Sequence, residues 1–323
     1  MRILITGGAG FIGSNLVEQL LRDERVSFVR VLDNLSTGSL ANTNGFIDHP
    51  NFEFQQGDIR DFATCLAACD TMDLVSHQAA LGSVPRSIAD PLTSNDVNIT
   101  GTLNIFTAAR DKQIRRIVYA ASSSTYGDHP GLPKIEDVIG KPLSPYAITK
   151  FVNELYAQVY ASLYDLELIG LRYFNIFGPR QNPNGPYAAV IPLFVEAILE
   201  NRQPVINGDG QHSRDFTYID NAVQANILSL FTSDKKAVNQ VYNIACGHQT
   251  SLKELFHHLA AEAGSGLQPV YGPERRGDVK NSMADISKAA DLLGYDPKLS
   301  VLEGLKETFN WYKKERSKEL LRN

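Results

Sequence analysis

The chain has 323 residues, of which 43% are hydrophobic and 21% charged, and its formal net charge is −5. These values are typical of a globular protein long enough for one large or two interleaved domains. There is no basic tail or basic run to indicate nucleic acid as a partner. The three cysteines lack the spacing of a disulfide framework, and a glycine-rich stretch comes too early for a signal peptide. No apolar run is long enough to span a membrane. The sequence therefore predicts a soluble cytoplasmic protein.

A strand, a glycine-rich turn and a helix are predicted at the start of the chain. Arg2–Thr6 is a short apolar run typical of a buried strand, and apolar residues recur at helical spacing over Ser14–Arg22. Between them, Gly7–Gly13 contains the pattern G-x-G-x-x-G and an overlapping form with glycines three apart. In this context, glycines let backbone N–H groups approach a pyrophosphate at the helix N-terminus.

The second predicted strand indicates which dinucleotide would bind. Phe28–Leu32 ends at Asp33, twenty residues after Gly13. An acidic side chain at this position accepts hydrogen bonds from both ribose hydroxyls and repels a 2′-phosphate. The sequence therefore predicts NAD rather than NADP.

Further strands alternate with helices such as the one predicted over Asn95–Ala109. Three of these strands are predicted, over Phe52–Gln56, Leu74–Ser76 and Arg116–Ala121. Five alternating strands indicate a parallel, doubly wound sheet with its ligands at the carboxyl edge. Asp58 could reach an adenine amino group or cap the helix from Phe62. His77 lacks clustered metal-ligand partners, so we assign it a structural role.

A tyrosine and a lysine lie four residues apart at the start of a helix predicted over Ala147–Tyr164. Pro145 suits the first position of such a helix, and Tyr146 and Lys150 then share one face. An ammonium and a cationic ring nearby would favour the phenolate of a tyrosine, whose ordinary pKa is about 10. Taken alone, a tyrosine and a lysine at this spacing are typical of the exposed surface of an amphipathic helix and indicate no function. Beside a dinucleotide-binding sheet and the serines 122–124, it predicts a proton-transfer site.

The character of the chain changes after a strand predicted over Leu166–Tyr173. The Pro/Gly/Asn-rich stretch 182–187 indicates a crossing into a smaller lobe. We predict an α/β fold: a doubly wound parallel Rossmann sheet with a smaller α/β substrate-binding C-terminal lobe. The NAD-binding domain would comprise residues 1–172 and about 211–245, and the lobe residues 173–210 and 246–323. Arg214 and Arg275 lie in glycine-containing loops of the type that is usually solvated, although guanidinium groups also suit a diphosphate.

With these motifs, the sequence resembles the extended short-chain dehydrogenase/reductase family over nearly its whole length, and its nucleotide-sugar 4-epimerases in particular. It is most similar to the bacterial group acting on UDP-N-acetylhexosamines. The resemblance implies NAD as cofactor, a UDP-sugar as substrate, and C4 epimerisation through a transient 4-keto intermediate. It also implies a homodimer formed by the helices from Asn95 and Ala147.

The resemblance also implies the roles of individual residues, and it implies no metal. Tyr146 would be the acid/base at the sugar 4-hydroxyl, Lys150 would hold the nicotinamide ribose, and Ser122 would share the proton. The remaining NAD contacts would be Gly7, Gly10, Phe11, Ile12, Gly13, Asp33, Asn34, Asp58, Ile59, Gln78, Ala80, Asn98 and Tyr173. The remaining substrate contacts would be Ser123, Ser124, Asn175, Ala189, Val190, Arg214, Arg275 and Asp278.

Two small residues bear on the identity of the sugar. The galactose-type enzymes of the family have lysine at the position of Gly82 and often a bulky residue at that of Ser282. The smaller residues would leave room for a 2-acetamido group, although packing could also explain them. Whether C6 is an alcohol or a carboxylate stays open, because Arg86 is ambiguous.

Four other functions compete with this interpretation. UDP-glucose/UDP-galactose 4-epimerisation differs only in the sugar. The related 4,6-dehydratases carry an Asp-Glu pair where this chain has Ser123 and Ser124, which argues against dehydration. An oxidoreductase that releases NADH is compatible with Asp33. A non-catalytic NAD sensor is disfavoured because Tyr146 and Lys150 are both present.

Overall fold

The computed structural model describes residues 1–184, 188–274 and 280–322. Within these ranges the chain forms thirteen strands and eleven α-helices. The strands are β1 Arg2–Thr6, β2 Phe28–Asp33, β3 Phe52–Gln56, β4 Leu74–His77, β5 Arg116–Ser122, β6 Glu167–Tyr173, β7 Ile176–Phe177, β8 Val205–Asn207, β9 Ser213–Arg214, β10 Thr217–Tyr218, β11 Gln240–Ile244, β12 Thr250–Ser251 and β13 Val270–Gly272. The helices are α1 Phe11–Leu20, α2 Phe62–Ala68, α3 Val84–Ala89, α4 Pro91–Asn95, α5 Gly101–Asp111, α6 Pro145–Tyr164, α7 Val190–Leu199, α8 Ile219–Phe231, α9 Leu252–Glu262, α10 Ser287–Leu293 and α11 Val301–Arg322.

A seven-stranded parallel sheet in the order β11-β6-β5-β4-β1-β2-β3 organises the molecule. The strand order reverses between β1 and β4, which is where doubly wound sheets bind their ligands. Thr6 pairs with Leu32 on one side and with His77 on the other, and Ser122 pairs with Tyr173. These strand ends therefore meet at one edge. The predicted fold class is confirmed.

Alternation along β1 assigns its side chains to the two faces of the sheet. Ile3 and Ile5 are fully buried in the cluster that includes residues of α1 and α8, whereas Leu4 is buried in the cluster that includes residues of α2 and α5. Each such side chain stabilises the fold by about 1.5–3 kcal/mol relative to an exposed one. Helices therefore cover both faces of the sheet.

The described part of the chain outside the seven-stranded sheet consists of helices and three two-stranded pairs, β7–β10, β8–β13 and β9–β12. Its core is continuous with that of the sheet; Phe194 of α7 and Phe256 of α9 meet edge-to-face with ring centroids 5.4 Å apart. The division of the chain into two domains at the residues given above stays a prediction.

Most predicted elements have counterparts, but the predicted helix Asn95–Ala109 is not one regular helix. A π-helical turn over Asp96–Thr100 separates α4 from α5. The sequence analysis also missed α9, whose signal was readable: Ser251 and Glu254 form a capping box ahead of an apolar run.

Candidate active site

The glycine turn between β1 and α1 forms one wall of a cavity of about 500 Å³. Gly7 has a φ of +71°, and a Cβ on Gly13 would lie 2.2 Å from the Gly7 carbonyl oxygen. Only glycines permit this close approach of turn and helix. Gly10 caps α1 without a side-chain hydrogen bond. The helix N-terminus therefore offers backbone N–H groups to an anion.

Asp33 is buried at the end of β2 and lines the same cavity. Its Oδ2 accepts a hydrogen bond from the Ala9 N–H at 2.9 Å, and its Oδ1 accepts one from the Leu35 N–H at 2.8 Å. Each oxygen keeps a second lone pair for a further donor. The carboxylate is thus fixed where ribose hydroxyls can reach it.

Asp58 is engaged by neighbouring side chains and does not line the cavity, although Gly57 and Ile59 do. Hydrogen bonds from Arg60 hold the pKa of the Asp58 carboxyl well below its usual range, and Asn34 donates to it at 2.8 Å. The alternative prediction that Asp58 caps the helix from Phe62 is wrong, because Asp61 caps α2.

Asn98 also lies behind the cavity wall. Its Oδ1 accepts from the Leu81 N–H at 2.8 Å, and its Nδ2 donates to the Leu81 carbonyl at 3.2 Å and to Thr149 at 3.1 Å. Both ends of the amide therefore hold the loop after β4. That loop carries Gly82 into the cavity lining.

His77 has the structural surroundings expected of it. Its ring nitrogens lie 2.7 Å from Thr6 Oγ1 and 3.0 Å from Thr102 Oγ1. Burial, with a smaller effect of the Lys150 ammonium, lowers the pKa of His77 to about 3. The imidazole is therefore neutral at physiological pH.

Ser122, Tyr146 and Lys150 line the cavity together. Ser144 caps the N-terminus of helix α6: its Oγ accepts from the Ala147 N–H at 3.1 Å, and Pro145 occupies the first turn as predicted. Lys150 Nζ donates to the Ala120 carbonyl at the end of β5, at 2.7 Å. Strand β5 and helix α6 thereby bring the three side chains to one site.

The electrostatics of this group differ from the expectation. Burial raises the pKa of Tyr146, which a hydrogen bond with Ser122 partly offsets. Burial also lowers the pKa of Lys150 to about 8, which the Glu154 carboxylate partly offsets. In the protein alone, burial therefore outweighs the lysine charge, because both groups are desolvated and the ammonium is bound to a carbonyl. The lowering of the tyrosine pKa expected beside a cationic ring stays a prediction.

Ser124 donates two hydrogen bonds to the hydroxyl oxygen of Ser122. The Ser124 hydroxyl donates to Ser122 Oγ at 2.9 Å, and the Ser124 N–H donates to the same oxygen at 3.2 Å. A hydroxyl oxygen has two acceptor lone pairs, so the Ser122 proton remains available for donation. Neither Ser123 nor Ser124 is part of the two cavity linings described here, so their predicted sugar contact stays a prediction.

A second cavity, of about 720 Å³, adjoins the first. Five residues line both cavities, so a ligand could extend from one into the other: Gly82, Ser83, Asn175, Ile176 and Gln181. Five of the predicted substrate contacts line it: Gly82, Asn175, Ala189, Val190 and Arg214. Ser282 does not line it, and Arg275 and Asp278 lie outside the described residues.

Sequence reasoning located most of the first cavity but only part of the second. The predicted residues that line the first cavity are Gly7, Gly10, Phe11, Ile12, Gly13, Asp33, Asn34, Ile59, Gln78, Ala80, Gly82, Ser122, Tyr146, Lys150, Tyr173 and Asn175. Lining residues that it missed include Ser36, Thr37, Gln181, Arg202, Gln203 and Asn207. They follow no motif, and all except Asn207 of β8 lie in loops.

The described residue ranges also bear on metal binding and on membrane spanning. No three His, Cys, Asp or Glu side chains in those ranges cluster as metal ligands would. None of the described helices has the length and apolar character that crossing a bilayer requires.

Comparisons with known proteins agree with this geometry. The UDP-N-acetylglucosamine 4-epimerase of Methanobrevibacter ruminantium M1, solved with UDP-N-acetylmuramic acid, is 40% identical with a TM-score of 0.92, over 97% of this chain and 98% of that one. The UDP-glucuronic acid 4-epimerase of Bacillus cereus was solved with UDP-glucuronic acid and NAD. It is 31% identical to this chain with a TM-score of 0.89, and the match covers 98% of this chain and 100% of that one. The UDP-glucose 4-epimerase of Mycolicibacterium smegmatis is 37% identical over 315 residues, 97% of this chain and 99% of that protein. Since the model of the NAD dependent epimerase/dehydratase family matches residues 3–245, the chain belongs to that family.

Proposed function

We propose that this protein is an NAD-dependent UDP-sugar 4-epimerase whose substrate is a UDP-N-acetylhexosamine. The observation that carries the proposal is the position of Ser122, Tyr146 and Lys150 in a cavity that opens into a second one at Gly82 and Asn175. The first cavity would take the dinucleotide and the second the nucleotide part of the substrate. Proton-transfer groups would then face both ligands.

The residues of the first cavity fit NAD. The N-terminus of α1 would hold the pyrophosphate, and Asp33 the adenosine ribose. Lys150 would hold the nicotinamide ribose. Bound NAD supplies a hydride acceptor and a cationic ring, and that positive charge would favour the phenolate of Tyr146 against the effect of burial.

In this mechanism, Tyr146 removes the proton from the sugar 4-hydroxyl while C4 gives up its hydride. Ser122 donates a hydrogen bond to the same oxygen, because its own acceptor positions are filled by Ser124. The 4-ketose would then have to turn over in the cavity, so that the hydride that the bound cofactor would supply can reach its opposite face. Tyr146 returns the proton. The diphosphate must stay anchored throughout, and Arg214 and the N-terminus of α7 would bind it, because both line the second cavity.

Gly82 supports the N-acetyl form of the sugar. A Cβ at this position would meet nothing within 4 Å, and the residue lines both cavities. A galactose-type lysine would therefore project into the space between them, whereas glycine leaves that space open for a substituent at C2. UDP-glucose stays the second candidate, because a smaller sugar also fits.

The replacement Gly82→Lys tests this role. We expect turnover of UDP-N-acetylglucosamine to fall at least tenfold, because the new side chain fills the space for the acetamido group. Turnover of UDP-glucose, which has no acetamido group, should be kept. Steady-state kinetics with both sugars measures the ratio. Gly45→Lys is the matched control, since a Cβ there also meets nothing within 4 Å and Gly45 lines neither cavity. An unchanged sugar ratio in Gly82→Lys would contradict the assignment.

The function itself is tested by incubating the purified protein with UDP-N-acetylglucosamine and following the anomeric protons by NMR. Growth of the galacto isomer to an equilibrium mixture, without added NAD, would establish 4-epimerisation with retained cofactor. The same assay with UDP-glucose and with the uronic acid form ranks the three sugars. Failure of all three, with NAD added, would remove the epimerase assignment.

We also propose that the protein is a homodimer joined through α6 and the segment before α5. The outer face of α6 leaves large apolar side chains exposed, among them Val159 at 49% and Leu163 at 65%, and Leu92 of α4 is 82% exposed. Such a stripe marks an interaction surface. A second copy of the chain would cover it.

The double replacement Val159→Glu with Leu163→Glu should give a monomer. Each buried carboxylate would lack a partner at the interface and would oppose association. Sedimentation velocity measures the state of assembly. Leu302→Glu, at a position 53% exposed on α11, is the control that should leave it unchanged. A wild-type protein that sediments as a monomer would rule out this interface.

A further inference from the structure

Asp215 is a fully buried carboxylate between β9 and β10, directly after Arg214. Its Oδ1 accepts a hydrogen bond from the Cys246 N–H at 2.9 Å, and its Oδ2 accepts from the N–H groups of Gly247 at 3.0 Å and Ala284 at 3.2 Å. The donors belong to the loop after β11 and to the segment before α10. One side chain therefore fastens three separate stretches of the chain together.

The same residue holds Asn175, which lines both cavities. Asn175 Nδ2 donates to the Asp215 carbonyl oxygen at 3.1 Å, and the Thr217 N–H donates to the Asn175 carbonyl at 3.3 Å. An amide nitrogen carries two hydrogens, so a second one remains for a ligand. The backbone at Asp215 thus sets the position of that donor.

Arg214 is placed by the same assembly. Its Nη1 donates to the Ser213 carbonyl at 2.9 Å and to the Lys280 carbonyl at 3.1 Å. The Ser213 carbonyl also accepts from the Ser282 N–H at 3.2 Å. The segment that Asp215 fixes at Ala284 is therefore the one against which Arg214 rests.

We propose that Asp215 is a positioning residue for the diphosphate of the substrate: it holds Asn175 and Arg214 in place without touching the ligand. Asp215 lines neither cavity. The inference rests on the proposed function in one respect, that the larger cavity binds a UDP-sugar. Its consequence is that Asp215 controls substrate affinity more than NAD affinity, because Arg214 lines only the larger of the two cavities.

The replacement Asp215→Asn tests the proposal. Both carboxylate oxygens accept backbone N–H groups, so either orientation of a carboxamide sets its NH₂ group against a donor. We expect the Kd of UDP-N-acetylglucosamine, measured by calorimetry at pH 7.5, to rise at least tenfold. The Kd of NAD should stay within twofold of wild type, and KM should change more than kcat. A variant that was merely misfolded would lose both ligands.

Glu167→Gln is the matched control, since it makes the same chemical change at another buried carboxylate. Glu167 is 6% exposed at the start of β6, on the opposite edge of the sheet, and is bound by Arg116 and Lys235 at 2.6 Å. The Glu167→Gln variant should be less stable than wild type but should keep its affinity for UDP-N-acetylglucosamine. An equal loss of affinity in this control would overturn the specific role of Asp215.

A second measurement needs no variant. Burial raises the pKa of Asp215 to about 6, although its three N–H bonds oppose the shift. If only the ionised form of Asp215 holds Asn175 and Arg214 in place, the Kd of UDP-N-acetylglucosamine should be about fourfold higher at pH 5.5 than at pH 7.5. The titratable groups that face Asp215 are Cys246 and Tyr295, which burial keeps neutral by raising the pKa of each, and His248, whose protonation would favour the ionised carboxylate.

The outcomes separate this inference from the proposed function. Wild-type protein that binds no UDP-N-acetylglucosamine would remove the proposed function and the inference with it. Wild-type protein that binds it, with an unchanged Kd in Asp215→Asn and no weakening at pH 5.5, would overturn the inference alone. NAD affinity should be the same at both pH values; a parallel loss would also count against a role confined to the substrate site.

Discussion

Replacing Tyr146 with phenylalanine should lower kcat by about 10²–10⁴-fold, the range typical of lost general acid–base catalysis. The phenol is the group of the cofactor cavity that bonds with Ser122, and phenylalanine keeps its ring while removing its proton. NAD should therefore bind with unchanged affinity. Turnover from NMR progress curves, together with a titration of NAD, measures both quantities.

Tyr173→Phe is the matched control for this replacement. Tyr173 lines the same cavity, and its hydroxyl donates to Gln78 at 3.0 Å and accepts from Asn226 at 2.8 Å. It is as buried as Tyr146, and burial raises its pKa as well. Because it does not bond with Ser122, its loss should change kcat by less than tenfold. A Tyr146→Phe enzyme that keeps more than a tenth of wild-type turnover would rule out the proposed acid/base.

The cofactor side of the molecule was predictable because its signals are local. The glycine turn, Asp33 and the serines after β5 each follow a strand directly, and parallel pairing brings all such ends to one edge. Backbone geometry alone therefore predicted that these residues meet. Individual hydrogen bonds were harder to predict: Asn98 turned out to hold Leu81, and Asp58 to pair with Arg60.

The substrate side was less predictable for physical reasons. Its wall combines residues from α7, β8 and β9 with loop residues such as Gln181, which are distant in the sequence and share no period or motif. The tyrosine pKa shows a second limit. Spacing correctly placed Tyr146 and Lys150 on one helical face, but only the three-dimensional surroundings reveal that burial outweighs the lysine charge.

The second large effect concerns the stability of the protein, which depends on a buried ion pair close to the serines 122–124. Glu154 lies one turn after Lys150 on α6 and is 2% exposed, and Arg172 at the end of β6 is 4% exposed. The guanidinium donates to both carboxylate oxygens, at 2.9 Å and 2.6 Å, and Thr125 donates to one of them at 3.3 Å. The pair therefore joins the catalytic helix, the sheet and the turn that follows Ser122.

Glu154→Gln should destabilise the protein by about 3–5 kcal/mol, because it leaves the Arg172 charge buried and uncompensated. The free energy of unfolding in urea measures the loss. Glu315→Gln, which breaks an exposed pair with Lys318 on α11, should cost less than about 1 kcal/mol. The double replacement Glu154→Met with Arg172→Met should recover part of the loss, because it removes both charges at once. If the single variant unfolds within 1 kcal/mol of wild type, the guanidinium is not desolvated as the geometry requires, and the ion pair does not hold the three elements together.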